Sequence, residues 1–213
     1  MLSRLCTACA RLRVRGGGLL LLMLLASCVT KDRQHRIVVS VADQAMDVYY
    51  REHRVARYQV STSKFCLGDA PGSCGTPLGR LEVAKKIGAG APLGAVFKDR
   101  KPTGEILMPD TPGRDPIVSR ILWLKGLELG NRNAYGRCIY IHGTPEERNI
   151  GHPASYGCIR MRSREVARLF RTVGVGTEVD VVPGSLPEPN PRSTTAAQAS
   201  VALSRAAANI PVR

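Results

Sequence analysis

Short apolar runs separated by polar turns dominate the chain, and their spacing predicts a mainly β protein. Ile37 to Val41, Met46 to Tyr50 and Val55 to Val60 read as three strands of a meander, with the polar Arg51-Glu52-His53-Arg54 turn between the last two. Residues 61–80 are rich in Gly, Ser, Thr and Pro and read as a long loop ending in Thr76-Pro77-Leu78-Gly79. Leu81 to Ala84 is a short strand. Residues 88–119 hold many Gly and Pro residues and predict loops with little regular structure; loops that long inside a domain are usually functional. Arg120 to Leu124 and Cys138 to His142 follow as strands. One stretch has helical period instead: Val166, Leu169, Phe170 and Val173 fall at i, i+3, i+4 and i+7. Ser163 can cap that helix, Glu165 lies in its first turn, and Gly174 can end it in a left-handed conformation. Glu178 to Val182 closes the domain. From Pro183 onward Pro, then Ala, Ser and Thr take over, so this tail has little to bury; a weak helix over 196–208 is the most it would form.

The first residues follow a different pattern. Arg4, Arg11, Arg13 and Arg15 precede an apolar run from Leu19 to Ala26, a charged region and then a short hydrophobic one, as in a secretory signal. The run is shorter than the ~20 apolar residues of a permanent span. It ends Leu25-Ala26-Ser27-Cys28, which resembles the lipobox of bacterial lipoproteins, where the Cys is lipidated and the signal is cut just before it. The other reading is an ordinary signal peptide with an incidental Cys. The lipoprotein reading divides the chain into a signal peptide (1–27), a tether (28–36), a domain (37–183) and a disordered tail (184–213).

Composition narrows the partners. Aromatics make up only 5% of the residues, so the core must come mainly from Val, Ile and Leu. Cleavage before Cys28 would remove four basic and no acidic residues, taking the net charge from +14 to +10. Such a charge suits a polyanion. In the envelope that means anionic glycan-peptide polymer or lipid head groups, which argues against nucleic acid.

Of the seven cysteines, Cys6 and Cys9 leave with the signal, and no Cys-x-x-Cys pair survives to suggest a zinc ribbon. An oxidising envelope permits a Cys66–Cys74 disulfide; the alternative is two unrelated thiols in a flexible loop. Cys158 is different. It lies in Ser155-Tyr156-Gly157-Cys158-Ile159-Arg160-Met161, sixteen residues after His142 in Ile141-His142-Gly143-Thr144. A Cys nucleophile needs an imidazole within reach. Gly157 would let the backbone approach a substrate, the Gly157 and Cys158 amides could face an oxyanion, and a nearby positive charge and helix N-terminus would favour the thiolate. On residue types alone this is suggestive and no more, since a lone Cys with a lone His is more often structural than catalytic. His35, His53 and His152 read as solvated.

These motifs resemble the catalytic domain of the L,D-transpeptidases of YkuD type. The match rests on His142-Gly143-Thr144 and Ser155-x-Gly157-Cys158-Ile159-Arg160-Met161, with Val60-Ser61-Thr62-Ser63 and Thr76-Pro77-Leu78-Gly79 upstream, and covers roughly residues 37–182. The resemblance implies a β-sandwich with mixed strands, one short helix after the Cys and long loops. It implies Cys158 as nucleophile, His142 as its partner and the Gly143 carbonyl as the group orienting the imidazole. Ser155, Tyr156, Gly157 and Arg160 are then substrate-binding positions, Arg160 either pairing with a substrate carboxylate or bracing the turn. Tyr156 departs from the His common there. The implied reaction joins peptidoglycan stem peptides through a Cys thioester with release of D-Ala, by a monomer on the periplasmic side of the envelope, without metal or organic cofactor. A carboxypeptidase or other peptidoglycan hydrolase on the same scaffold, or a non-catalytic peptidoglycan-binding lipoprotein, are the alternatives.

Overall fold

The computed structural model describes residues 30–187. The expected signal, the Cys28 anchor and the tail beyond residue 187 lie outside the described residues. Ten strands form: β1 (His35–Ser40), β2 (Ala45–Tyr50), β3 (His53–Gln59), β4 (Gly79–Ile87), β5 (Ala95–Lys98), β6 (Lys101–Ile106), β7 (Ile117–Gly126), β8 (Tyr140–Gly143), β9 (Ile159–Met161) and β10 (Glu178–Val182). Among the described residues one α-helix, α1 (Ser163–Thr172), lies between the last two strands.

Hydrogen bonds join the strands into one mixed sheet in the order β3-β2-β1-β10-β4-β7-β5-β6, with β8 and then β9 branching from β7. The mostly β expectation, with mixed strands and a single α-helix, therefore holds. β1 runs parallel to β10 and β8 parallel to β9; the other pairs are antiparallel. The branch works because β7 is long: its first residues pair with β5 through Val118, and Ile121 to Trp123 pair with β8. The apolar face read from the sequence is the face that α1 buries. Val166, Leu169, Phe170 and Val173 join Ile37, Val39, Leu122, Leu124, Ile141 and Met161 in the main core.

Three expectations need correction. Residues 88–119 are not mainly loop but contain the β5–β6 hairpin and the start of β7. Its two-residue turn uses Asp99 and Arg100 at φ 49 and 67, the twist-matched geometry that Asn-Gly usually signals. Pro102 sits in β6, which ends the sheet order, the kind of place where a missing N–H is tolerated. Cys138 is not in a strand; it sits in the turn before β8 at φ 60. The ends of α1 also differ. Ser163 does not cap it: the Glu147 carboxylate accepts the Ser163 amide at 2.8 Å. Val173 leaves the helix extended, and Gly174 is needed for close approach, since a Cβ there would meet Asp32 Cβ at 2.7 Å.

The segment before β1 is tied down. Asp32 accepts the Gly174 amide at 2.7 Å, the Thr177 hydroxyl at 3.0 Å and His35 Nδ1 at 2.8 Å. Burial opposes the charge on Asp32, yet these hydrogen bonds hold its carboxyl at about 2. His35 is thus a packed, partnered residue rather than a solvated one.

The loop between β3 and β4 is closed by an ion pair, not by the expected disulfide. Cys66 and Cys74 are both free. The Cys66 thiol donates to the Ser73 carbonyl at 3.3 Å, while Cys74 adopts φ 55 and its carbonyl accepts the Ser63 hydroxyl at 2.7 Å. Closure comes from Arg137, which donates to Asp69 at 2.8 Å, the Gly68 carbonyl at 3.2 Å and the Gly75 carbonyl at 2.9 Å. Asp69 also accepts the Asn133 amide at 2.6 Å. Both side chains of the pair are largely buried. Asp69→Ala leaves the guanidinium without its counter-charge and should lower unfolding free energy by about 3 kcal/mol. Urea denaturation reads this directly; a change below about 1 kcal/mol would mean the loop closes by other means.

Candidate active site

His142 and Cys158 come from the two short parallel strands and the turn that leads into one of them. β8 carries His142 beside Arg160 of β9. On its other side β9 is held by Ser61, whose amide donates to the Arg160 carbonyl at 3.0 Å and whose carbonyl accepts the Arg160 amide at 2.9 Å. Thr62 and Lys64 continue this contact. The Ser155 amide donates to the Thr62 carbonyl at 2.9 Å, and the Lys64 amide to the Ser155 carbonyl at 3.1 Å. The segment after β3 therefore acts as a third strand beside the Cys turn, although it forms only isolated bridges.

The turn itself is over-determined. The Ser155 hydroxyl donates to the Cys158 carbonyl at 2.6 Å and accepts the Gly157 amide at 3.1 Å. Ser155 is buried, so this hydroxyl builds the turn. The Thr76 hydroxyl donates to the Gly157 carbonyl at 3.2 Å. Gly157 has φ 112, and a Cβ there would meet the Gly75 carbonyl oxygen at 2.9 Å. No other residue satisfies both the backbone conformation and the space. The Gly157 amide, engaged by Ser155, is not free to face an oxyanion as the sequence suggested.

Cys158 Sγ lies 3.4 Å from the Tyr140 amide and 3.4 Å from the Cys138 carbonyl. Burial pushes its thiol up to about 11, against the Tyr140 amide and the Arg160 charge, both of which favour the thiolate. His142 is buried and its Nδ1 meets the Gly143 carbonyl at 2.8 Å. A carbonyl only accepts, so Nδ1 carries the proton and Nε2 the lone pair. Burial drops the imidazole to about 4; the Gly143 contact opposes this and the Arg160 charge adds to it. The resting pair is thus neutral thiol and neutral imidazole. The expected help from a helix N-terminus is missing because β9 intervenes between Cys158 and α1, and Glu147 already occupies that helix end. Gly143 must be glycine for packing, since a Cβ would lie 2.6 Å from the Val118 carbonyl oxygen.

Arg160 is buried, ion-paired to Asp115, with Glu146 3.6 Å away. Asp115 also accepts the Thr144 hydroxyl at 2.5 Å. Burial raises the Asp115 carboxyl against these two donors. Neither acid was singled out from sequence; Asp115 falls in the Gly- and Pro-rich stretch and Glu146 in the turn after β8, and no local pattern marks them. Tyr156 is exposed at the rim, against Lys64 and Phe65.

Comparison with known proteins gives the family. The family model for the YkuD-type L,D-transpeptidase catalytic domain matches residues 34–181. A Bacillus licheniformis protein named putative L,D-transpeptidase YkuD is 27% identical over 150 residues, 70% of this chain and 66% of that protein. The putative L,D-transpeptidase YqjB of Bacillus subtilis is 52% identical over 44 residues, 21% of this chain and 25% of its own. The chain thus spans between a quarter and two thirds of these relatives' length. Among solved structures, an L,D-transpeptidase from Mycobacterium tuberculosis H37Rv superposes with a TM-score of 0.46 at 16% identity, over 70% of this chain and 57% of that one.

The buried imidazole makes stability depend on pH. His142 titrates at 6.5 in an ordinary setting and at about 4 here, so the unfolded chain takes up its proton first as pH falls. The contribution of the neutral ring is complete above pH 6.5 and is lost between there and pH 4, by up to about 3 kcal/mol. Urea midpoints of the parent should therefore fall across that window relative to His142→Gln. Parallel curves for the two proteins would show that the ring is not held neutral.

Proposed function

Because the chain belongs to the L,D-transpeptidase catalytic-domain family, we propose that it is a cysteine L,D-transpeptidase acting on peptidoglycan stem peptides, with Cys158 as nucleophile and His142 as base. The observation that carries this reading is the position of Cys158 immediately before β9, its Sγ 3.4 Å from the Tyr140 amide of β8, the strand that carries His142 with Nδ1 on the Gly143 carbonyl and Nε2 left as acceptor. Cys158 attacks the carbonyl of the L-centre of meso-diaminopimelate, or an equivalent diamino acid, in a stem tetrapeptide. The S–C bond forms as His142 Nε2 takes the thiol proton. The Cys158 amide is the donor of the turn available to the oxyanion. The C–N bond to terminal D-Ala then breaks, and the imidazolium returns the proton to the leaving amine. An amine from a second stem, or from a protein Lys, attacks the thioester, loses a proton through His142 and restores the thiol. Arg160, tied to Asp115, braces the turn. The chain works in the cell envelope, held to a membrane through lipid on Cys28.

Incubating the protein with a defined tetrapeptide stem and reading products by mass tests the reaction. Cys158→Ala should abolish thioester formation. His142→Ala should lose about 10²–10⁴-fold in acylation rate, and its remainder should rise with pH as thiolate forms without help. An acyl adduct on Cys158→Ala, or on Cys138 in the parent, would end the mechanism. A hydrolysed tripeptide without joined product would make the protein a carboxypeptidase instead. The anchor has its own measurement: Cys28→Ala should move the protein from the membrane to the soluble fraction, and an unchanged distribution would remove it.

A further inference from the structure

We propose that Lys64, seated against the rings of Phe65 and Tyr156, binds a carboxylate of the stem-peptide substrate at the rim beside Cys158; this rests on the transpeptidase reading above. Lys64 Nζ lies 4.7 Å from the Tyr156 ring centroid, 5.2 Å from that of Phe65, and 3.4 Å from the Tyr156 hydroxyl. The two rings meet at 5.2 Å between centroids. Both are more than half exposed, at 55% for Phe65 and 59% for Tyr156. Two large aromatic faces and an ammonium thus share one solvent-facing cluster, of which Tyr156 lies two residues before Cys158 in the chain.

The other cations around the turn are engaged. Arg160 is paired with Asp115, Arg137 with Asp69, and Arg100 is turned onto the Tyr140 hydroxyl and the Trp123 ring. Lys64 has no carboxylate within ion-pair distance among the described residues. Its backbone is fixed, because its amide donates to the Ser155 carbonyl and the next amide, of Phe65, donates to the Ser63 hydroxyl at 3.0 Å. The ammonium is therefore mounted on the same hydrogen-bonded unit as the nucleophile, and the rings orient it without neutralising it. A ligand suited to this cluster has an anionic group for Lys64 and an apolar stem to lie on the rings. The diamino-acid stem offers that combination twice. A carboxylate accompanies the donor strand near the reacting carbonyl, and another sits on the carbon that bears the acceptor amine. The shared chemistry is a carboxylate, and two arms of one experiment separate its sources.

The full chain would be given a donor stem with free carboxylates or with the same groups amidated, and acylation of Cys158 followed by intact mass. The preformed thioester would then be offered a D-amino acid or its amide, and transfer followed. Lys64→Met should lower the ratio of free-acid to amide rate about ten- to hundredfold, the range for one charge-assisted hydrogen bond, and Lys64→Arg should keep most of it. A lowered ratio at acylation assigns the carboxylate to the donor, and at transfer to the acceptor. An unchanged ratio in both arms, or equal losses for acid and amide, overturns the proposal. A parent that is never acylated by any stem overturns the transpeptidase reading beneath it.

Discussion

A parallel pair only three residues long, Ile141 to Gly143 against Ile159 to Met161, is too short to hold its register alone, yet the placing of His142, Cys158 and Arg160 depends on it. The register holds because each strand is fixed on its far side. β8 pairs with the long β7, and β9 exchanges two backbone hydrogen bonds with Ser61. Ile141, Ile159 and Met161 are fully buried in the core that α1 covers, so a slip would carry apolar side chains out of that core. The support for the chemistry is thus the sheet itself. Arg160 adds a second lock, since its buried side chain reaches Asp115 and Glu146 while its backbone pairs with Ser61.

That lock explains the electrostatics. A cation near a thiol should favour thiolate, and Arg160 does push in that direction on Cys158. Its charge is shared with two carboxylates, however, while desolvation acts on the thiol undiluted. Burial wins for both groups, leaving Cys158 high and His142 low.

The residues that were legible in the sequence are those governed by local rules. The helical stripe Val166-Leu169-Phe170-Val173, the meander of β1 to β3 and the Cys–His spacing all show as short-range patterns. What was hidden depends on partners distant in sequence. Asp115 meets Arg160 across 45 residues, and Asp32 accepts the Gly174 amide just past α1 from 142 residues away. The β5–β6 hairpin was masked by its Gly and Pro content, because Pro102 and Gly104 are tolerated on an edge strand but read as breakers. The Cys66–Cys74 expectation failed for a related reason: closing the loop was already the task of Arg137 and Asp69, which no spacing rule connects.

The stretch from Ser61 to Leu67 shows how the fold divides buried support from exposed surface within one segment. Ser61, Thr62 and Ser63 are buried and take part in the sheet and the loop closure, whereas Lys64, Phe65, Cys66 and Leu67 are exposed. The change comes where the chain stops pairing with the Cys turn, after the Lys64 amide bonds to Ser155. Residues before that point are constrained by backbone geometry, since Gln44 fills the space behind Thr62 with hydrogen bonds to its amide at 2.8 Å and its hydroxyl at 2.7 Å. Residues after it carry exposed side chains that meet the rim and the loop, Phe65 on the Tyr156 ring and Cys66 on the Ser73 carbonyl, so they can change without disturbing β9. The same reasoning applies to Tyr156 on the facing turn, where Ser155 and Gly157 are fixed by hydrogen bonds and close contacts while the ring between them meets solvent. Side chains can therefore vary at Lys64, Phe65 and Tyr156 while Cys158 stays where the sheet places it.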